Sequence, residues 1–185
     1  GMRAALGIIV IEMPSAYAAD AQDYLSKGLA TRDGLKDESL LTFCIAPHAP
    51  YTVGDRTFER IAMMQGELDL PLHIHLHETR DEIEQSLARH GSRPLARLQG
   101  LGLVDANLIA VHAVHVTEQE ANLLAEEGCH VAHCPSSNLK LASGIATPDR
   151  LLKAGVNVGL GTDGAASNNR LDLFTEMRLA ALLAK

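Results

Sequence analysis

The chain has 185 residues, a formal net charge of −7 and 46% hydrophobic residues. This length and apolar content predict one folded domain, residues 1–185, with a sizeable core, and exclude a disordered chain. Nucleic-acid binding usually needs a basic surface or stacking aromatics, but the balance is acidic and aromatic residues are 3% with no Trp, so we expect no nucleic-acid partner.

Cysteine usage and hydropathy argue against a disulfide-stabilised protein and against a membrane-spanning one. Cys44, Cys129 and Cys134 are odd in number, lack CxxC spacing and lie in apolar runs, so we expect buried thiols and no disulfide framework or zinc ribbon. No apolar run approaches the ~18 residues of a membrane span, and no signal peptide is visible. We therefore expect no membrane partner and a cytoplasmic location.

Apolar runs of strand length alternate with helix-forming segments along the chain. The predicted strands are residues 5–11, 41–46, 73–77, 107–111, 130–134 and 156–160. The predicted helices are residues 18–30, 56–68, 81–89, 94–98, 117–127, 148–154 and 171–184. Runs without alternation, such as residues 5–11, are typical of parallel strands that are buried on both faces.

Turn and cap residues support several of these boundaries. Pro47 and Pro50 end the second strand and hold His48 in a rigid loop. Residues 117–120 form a capping box at a helix start. Residues 135–138, Pro-Ser-Ser-Asn, are interpreted as the loop that closes the fifth strand.

The alternation of strands and helices predicts an α/β fold with a parallel sheet and right-handed crossovers. No GxGxxG or Walker loop follows the first strand, which disfavours a nucleotide-binding open sheet and favours a (β/α)8 TIM barrel. Six units in 185 residues are two short of the eight units and ~250 residues of a full barrel. We therefore expect about six C-terminal βα units of an incomplete barrel.

The third predicted strand carries the richest chemistry. Apolar residues alternate there with His73, His75 and His77, so we expect the three imidazoles to share one face. Glu78 follows where the strand should end, and imidazoles with a nearby carboxylate are common components of a zinc site with a proton carrier. The spacing does not choose among the histidines, and the alternative is a strand that turns polar side chains to water.

Other predicted strands also end in ionisable residues, and the carboxyl ends of parallel strands meet at the ligand-binding end of a barrel. From this segment, His75 and Asp163 are the best candidates for metal ligands. Glu78 could carry protons, His112 could stabilise developing charge or bind the metal, and His48 could hydrogen-bond a substrate. The alternatives are a surface Glu78, a structural His112, an ordinary loop His48 and a turn-capping Asp163.

These residues together predict a metal-assisted hydrolase on a barrel, with no particular substrate. Four motifs resemble the amidohydrolase superfamily, in the branch with deaminases and triazine chlorohydrolases. They are residues 75–79 (HLHET), 111–115 (VHAVH), 134–138 (CPSSN) and 161–169 (GTDGAASNN). Residues 47–51 (PHAPY) and 161–185 are similar to 5-methylthioadenosine/S-adenosylhomocysteine deaminases.

The resemblance implies a (β/α)8 barrel of the metal-dependent hydrolase type that holds one divalent ion, usually zinc. It implies that His75 and Asp163 are metal ligands, that Glu78 and His112 handle protons and charge, and that His48 contacts the substrate. The implied reaction is hydrolytic deamination of the adenine group of a small-molecule adenosine derivative. Glu78 would contact and protonate the ring nitrogen, and Asp163 would accept a proton from the nucleophilic water.

The chain departs from the family pattern in one respect. The first strand of the family ends in an HxH pair that supplies two further metal ligands, and here HxH occurs only within residues 73–77. We therefore expect the isolated chain to bind metal weakly and to be inactive, and an unclosed sheet to favour a homo-oligomer. The alternatives are a guanine or 8-oxoguanine deaminase, a triazine-type chlorohydrolase, or a non-catalytic self-associating fragment.

Overall fold

One parallel sheet forms the centre of the fold. In this computed structural model, which describes residues 1–184, six strands lie in the sheet in the order in which they occur in the chain. They are β1 (Ala4–Val10), β2 (Leu41–Pro47), β3 (Leu72–Leu76), β4 (Leu108–His112), β5 (His130–His133) and β6 (Asn157–Leu160). Every neighbouring pair is parallel, which confirms the predicted sheet.

At least one helix follows each strand. The helices are α1 (Ala21–Gly34), α2 (Asp55–Leu68), α3 (Arg80–His90), α4 (Pro94–Gly100), α5 (Glu118–Glu126), α6 (Pro135–Lys140), α7 (Pro148–Ala154) and α8 (Leu173–Leu183). Because every crossover returns the chain to the same end of the sheet, the carboxyl ends of all strands lie at one edge. None of the helices in residues 1–184 is long and apolar enough to cross a membrane.

Burial along β3 shows which face of the sheet is covered by helices. Leu72, Ile74 and Leu76 are almost fully buried, whereas His73 and His75 between them are half-buried. Since alternate strand residues point to opposite faces, the apolar set packs under the helices and the histidines occupy the less covered face. Each buried Leu or Ile contributes roughly 1.5–3 kcal/mol, so this alternation fixes the register of the strand.

Two predicted elements need correction. Helix α1 begins at Ala21 rather than residue 18, because the Asp20 side chain accepts a hydrogen bond from Asp23 N and caps the helix. Residues 135–138 are not a loop but most of helix α6, since Pro135 fits the first helical position, where a backbone N–H is not needed. The prediction of buried free thiols is confirmed for all three cysteines, and burial raises the pKa of Cys129 and Cys134 to about 12.

The prediction that three histidines share one face of the third strand is wrong for His77. Strand β3 ends at Leu76, and His77 adopts a left-handed φ of 54° that turns its side chain away from the face that carries His73 and His75. The ring is completely buried, and its Nε2 accepts a hydrogen bond from Leu95 N at 3.1 Å. His77 therefore anchors the start of helix α4 instead of facing the site.

A polar network surrounds His77. Arg93 donates to the Glu120 carboxylate at 2.7 and 2.9 Å and to the carbonyl oxygen of His115 at 2.7 Å. Burial lowers the pKa of His77 from 6.5 to about 4, although the Glu120 charge opposes that shift. His77 is therefore neutral at pH 7, with Nε2 free to accept the bond from Leu95.

Protonation of His77 should couple stability to pH. As pH falls from 6.5 to 4 the unfolded chain binds this proton before the folded chain does, so the contribution of His77 is full above pH 6.5 and is lost across this window. Between pH 7 and pH 5 we expect this residue to remove on the order of 2 kcal/mol from the free energy of unfolding. Urea unfolding at both pH values should show a smaller loss for His77→Gln.

The exposed His90 on α3 supplies the matched control, because His90→Gln should keep the pH dependence of the original chain. An unchanged pH dependence in His77→Gln would contradict the assignment of this titration to His77.

Candidate active site

Side chains from three strand ends meet at the carboxyl edge of the sheet. One donor atom each from His75 in β3, His112 at the end of β4 and Asp163 just after β6 lies within 4.8 Å of the other two. Two imidazoles and a carboxylate are a donor set that zinc accepts readily. The structure thus brings together the two predicted metal ligands and adds His112 to them as a third possible donor.

His75 is prepared to act as a neutral donor. Its ring centroid lies 5.1 Å from that of His48 and 5.3 Å from that of His112. Burial, and then the neighbouring His112, lower the pKa of His75. At neutral pH the ring is therefore uncharged and has a lone pair available on one nitrogen.

His112 is oriented by a buried amide. Its Nδ1 lies 2.8 Å from Asn138 Oδ1, and because an amide oxygen only accepts hydrogen bonds, Nδ1 carries the proton. The other ring nitrogen, Nε2, lies 3.7 Å from Glu78 Oε2 and 3.9 Å from Asp163 Oδ2. The nitrogen that can bind a metal or accept a proton thus faces both carboxylates.

Left-handed backbone is concentrated at these strand ends. His112, Ala113 and Asp163 have φ values of 73°, 48° and 58°. Such conformations cost a non-glycine residue about 1–3 kcal/mol each and persist only where surrounding contacts enforce them. Ala113 N, for example, donates to the carbonyl oxygen of Leu76 at 3.1 Å, which joins the ends of β3 and β4.

Asp163 is held as a carboxylate by hydrogen bonds from three groups. Its Oδ2 accepts from Ser137 Oγ at 2.6 Å and from Ser167 Oγ at 2.7 Å, while Oδ1 accepts from Gly164 N at 2.7 Å. Burial raises the pKa of Asp163, but these hydrogen bonds outweigh it and lower the pKa overall. The turn contact to Gly164 and the position beside His112 therefore coexist in one side chain.

Glu78 lies beside the three donors. Its Oε1 accepts a hydrogen bond from Ser143 Oγ at 3.0 Å, and its Oε2 faces His112 Nε2. The side chain is only 16% exposed, so it is not the surface residue of the alternative interpretation. A carboxylate fixed at this position is placed to exchange protons with a ligand over the site.

His48 completes the rim of the site. His48 Nδ1 lies 3.1 Å from Thr52 Oγ1, and this hydrogen bond orients the imidazole ring. Tyr51 lies edge-on to the His48 ring, with centroids 6.1 Å apart, and is half exposed at the mouth.

Sequence reasoning missed four side chains that hold the site residues in place. They are Ser137, Asn138, Ser143 and Ser167. Ser137 and Asn138 lie on α6, and Pro135 at its first position was the signal that could have revealed that helix. Ser143 is 65 residues from Glu78 in the chain, and nothing in the sequence pattern indicated that contact.

The comparisons with known proteins agree with this geometry. The model of the amidohydrolase family matches residues 1–185. A curated relative, 5-methylthioadenosine/S-adenosylhomocysteine deaminase from Teredinibacter turnerae, is 49% identical over 185 residues. These are 100% of this chain and 42% of the length of the relative, so the chain spans less than half of that protein.

Solved structures are similar over the same region. The crystal structure of an adenosine deaminase from Xanthomonas campestris with bound zinc has a TM-score of 0.96 and 50% identity, over 99% of this chain and 42% of that chain. Atrazine chlorohydrolase from Arthrobacter aurescens complexed with zinc has a TM-score of 0.81 and 25% identity, over 96% of this chain and 41% of that chain. The prediction that the six βα units are part of a (β/α)8 barrel is confirmed.

The contact between Asn138 and His112 generates a prediction about the imidazole tautomer. Asn138→Ala removes the acceptor for Nδ1–H, so we expect the His112 ring to lose its preference for a proton on Nδ1. Imidazole ¹⁵N chemical shifts of the neutral ring should show this change. Asn122→Ala on the exposed face of α5 is the matched control and should leave those shifts unaltered. Retention of the Nδ1–H tautomer in Asn138→Ala would refute the assignment.

Proposed function

Because the chain belongs to the amidohydrolase family, as its motifs predicted, we propose that it carries most of the active site of a metal-dependent deaminase. The proposed substrate is the adenine group of 5-methylthioadenosine, S-adenosylhomocysteine or a related adenosine derivative. The convergence of His75, His112 and Asp163 beside Glu78 is the observation that carries this proposal. The identity of 49% to a deaminase of these compounds, against 25% to a chlorohydrolase, favours deamination.

The donor set fits a divalent metal ion. His75 is neutral, Asp163 is kept ionised by its hydrogen bonds, and His112 Nε2 lies 3.9 Å from Asp163 Oδ2. We propose that His75 and Asp163 hold the ion, with His112 within reach of it. A bound zinc ion would supply hydroxide as nucleophile at neutral pH.

In the proposed reaction, water adds to C6 of the adenine ring while a proton goes to a ring nitrogen. The amino group at C6 then takes up a proton and the C6–N bond breaks, so that ammonia leaves, while the new hydroxyl group loses its proton and the inosine analogue remains. Glu78 donates the proton to the ring nitrogen, and its hydrogen bond from Ser143 holds it in position to do so. Asp163 accepts the proton that the attacking water releases and passes it to the leaving amino group, and Glu78 recovers a proton from the new hydroxyl group.

The protonation of the His112 ring determines how it can act on the attacking water. With the proton on Nδ1, Nε2 can accept a hydrogen bond from the attacking water and orient it. If both ring nitrogens of His112 instead carry protons, Nε2–H can donate to the oxygen added at C6 and stabilise its negative charge. His48, whose Nδ1 is engaged with Thr52 Oγ1, has Nε2 left to form a hydrogen bond with the substrate.

With His75 and Asp163 as its ligands, this segment supplies two of the three protein ligands that a catalytic zinc ion usually has. We propose that further ligands come from an HxH pair such as the family carries, and that the isolated chain is inactive. Self-association through the edges of β1 and β6, and a cytoplasmic location, stay predictions.

Zinc affinity tests the donor set directly. We expect the 185-residue chain to bind zinc weakly, and His75→Ala or Asp163→Ala to weaken that binding by at least about tenfold, since even outer-shell changes cost 10–100-fold. Competition with a chromophoric chelator measures the dissociation constants. His90→Ala, on the exposed end of α3, should bind zinc as the original chain does. Stoichiometric and tight zinc binding, or no effect of both substitutions, would contradict the proposal.

Activity tests the function itself. We expect no ammonia release from 5-methylthioadenosine by the chain alone, and release when the remaining segments of the Teredinibacter turnerae relative are co-expressed with it. In that complemented enzyme Glu78→Gln should lower kcat by about 10²–10⁴-fold, the usual contribution of a general acid. Full activity of Glu78→Gln, or chloride release from a triazine without deamination of the adenosine derivative, would sink the proposal.

A further inference from the structure

Glu82, in the first turn of α3, accepts two hydrogen bonds from the backbone that carries Glu78, and we call this pair of bonds the grip. Its carboxylate is almost completely buried, at 3% exposure for the residue. Oε1 accepts a hydrogen bond from His77 N at 2.9 Å, and Oε2 accepts one from Glu78 N at 2.8 Å. Two successive backbone N–H groups are thus bound to separate oxygens of one carboxylate.

An identical sequence spacing elsewhere in the chain shows that this grip is unusual. At α5, Thr117 and Glu120 form an ordinary capping box, in which the Glu120 carboxylate accepts from Thr117 N. At α3 the Thr79 side chain likewise accepts from Glu82 N, at 3.2 Å. The Glu82 carboxylate, however, passes over the backbone of Thr79 and binds the two residues before it.

The grip falls on a strained backbone. His77 has the left-handed φ of 54°, and the two hydrogen bonds fix the peptide on either side of the point where the strand turns. Glu78 leaves the chain directly after this turn. Its side chain reaches Ser143 Oγ on one side and faces His112 Nε2 on the other.

Burial of the Glu82 carboxylate costs free energy that a simple helix cap does not cost. Within residues 1–184, no Lys, Arg or His nitrogen lies within salt-bridge distance of the Glu82 carboxylate. Burial raises the pKa of Glu82 to about 7, although the hydrogen bonds from His77 and Glu78 lower it in part. Burying an ionisable group without a cation is expensive, and such groups are concentrated at functional sites.

We propose that Glu82 is a positioning residue for Glu78, acting through its two-point grip on the N–H groups of His77 and Glu78. This inference rests on the proposed role of Glu78 as proton donor. Glu82 touches neither substrate nor metal. It fixes the direction in which the Glu78 side chain leaves the backbone, and hence the geometry of proton transfer.

The matched variants are Glu82→Gln and Glu84→Gln. Glutamine keeps the size of the side chain but offers one acceptor oxygen, so one of the two N–H groups must lose its bond. Glu84 lies on the same helix and is exposed, so its replacement changes the same charge without touching the turn.

Kinetics of the complemented enzyme test the proposal. We expect Glu82→Gln to lower kcat by about 10–10²-fold, the scale of small misplacements of a catalytic group, with KM changed less than about threefold. In a Glu78→Gln background, Glu82→Gln should lower kcat no further, because its effect passes through the Glu78 carboxylate. A purely structural role would lower kcat equally in both backgrounds, and that outcome, or equality with Glu84→Gln, would overturn the proposal.

NMR of the 185-residue chain separates this proposal from the proposed function. We expect Glu82→Gln to shift the amide proton resonances of His77 and Glu78 and to remove the nuclear Overhauser contacts between the Glu78 and Ser143 side chains. Glu84→Gln should do neither. If these contacts survive in Glu82→Gln, the positioning role is wrong even where deamination is observed. If they are lost but the complemented enzyme releases no ammonia, the proposed function fails and the grip stands.

Discussion

His75, His112 and Asp163 come within 4.8 Å of one another, and this close approach determines the path of the backbone where their strands end. These residues belong to β3, β4 and the segment after β6, and only a parallel sheet brings the ends of those strands to one edge. Convergence within 4.8 Å requires the backbone to turn sharply just beyond each strand. The left-handed conformations of His112 and Asp163 are the local cost of that convergence, and apolar packing of the sheet against its helices offsets it.

Different hydrogen-bonding side chains hold the carboxylates and the imidazole of the site. Serine hydroxyl groups hold both carboxylates: Ser137 and Ser167 keep Asp163 ionised, and Ser143 orients Glu78. Asn138 plays the corresponding part for His112, by fixing which ring nitrogen carries the proton. Such outer partners set the protonation state and direction of each group before any ligand arrives, which is the condition for efficient proton transfer.

Much of the fold followed from local pattern, because apolar runs, caps and prolines determine strands and helices over short stretches of chain. The placement of His75, His112 and Asp163 followed from one rule, that parallel strands end at a common edge. The predictions that failed were those that depended on a single backbone angle or on a residue distant in the chain. His77 continues the alternation of β3 in sequence but turns away at its φ of 54°. Glu82 has the spacing of a capping box, yet the sequence does not say which N–H groups its carboxylate takes.

Imidazole ¹⁵N NMR of the chain during a zinc titration would show whether donors from separate strands bind one divalent ion together. We expect the resonances of His75 and His112 to change at the same zinc concentration, while those of His90 and His130 stay constant. Changes confined to His90 or His130, with His75 unaffected, would contradict this expectation.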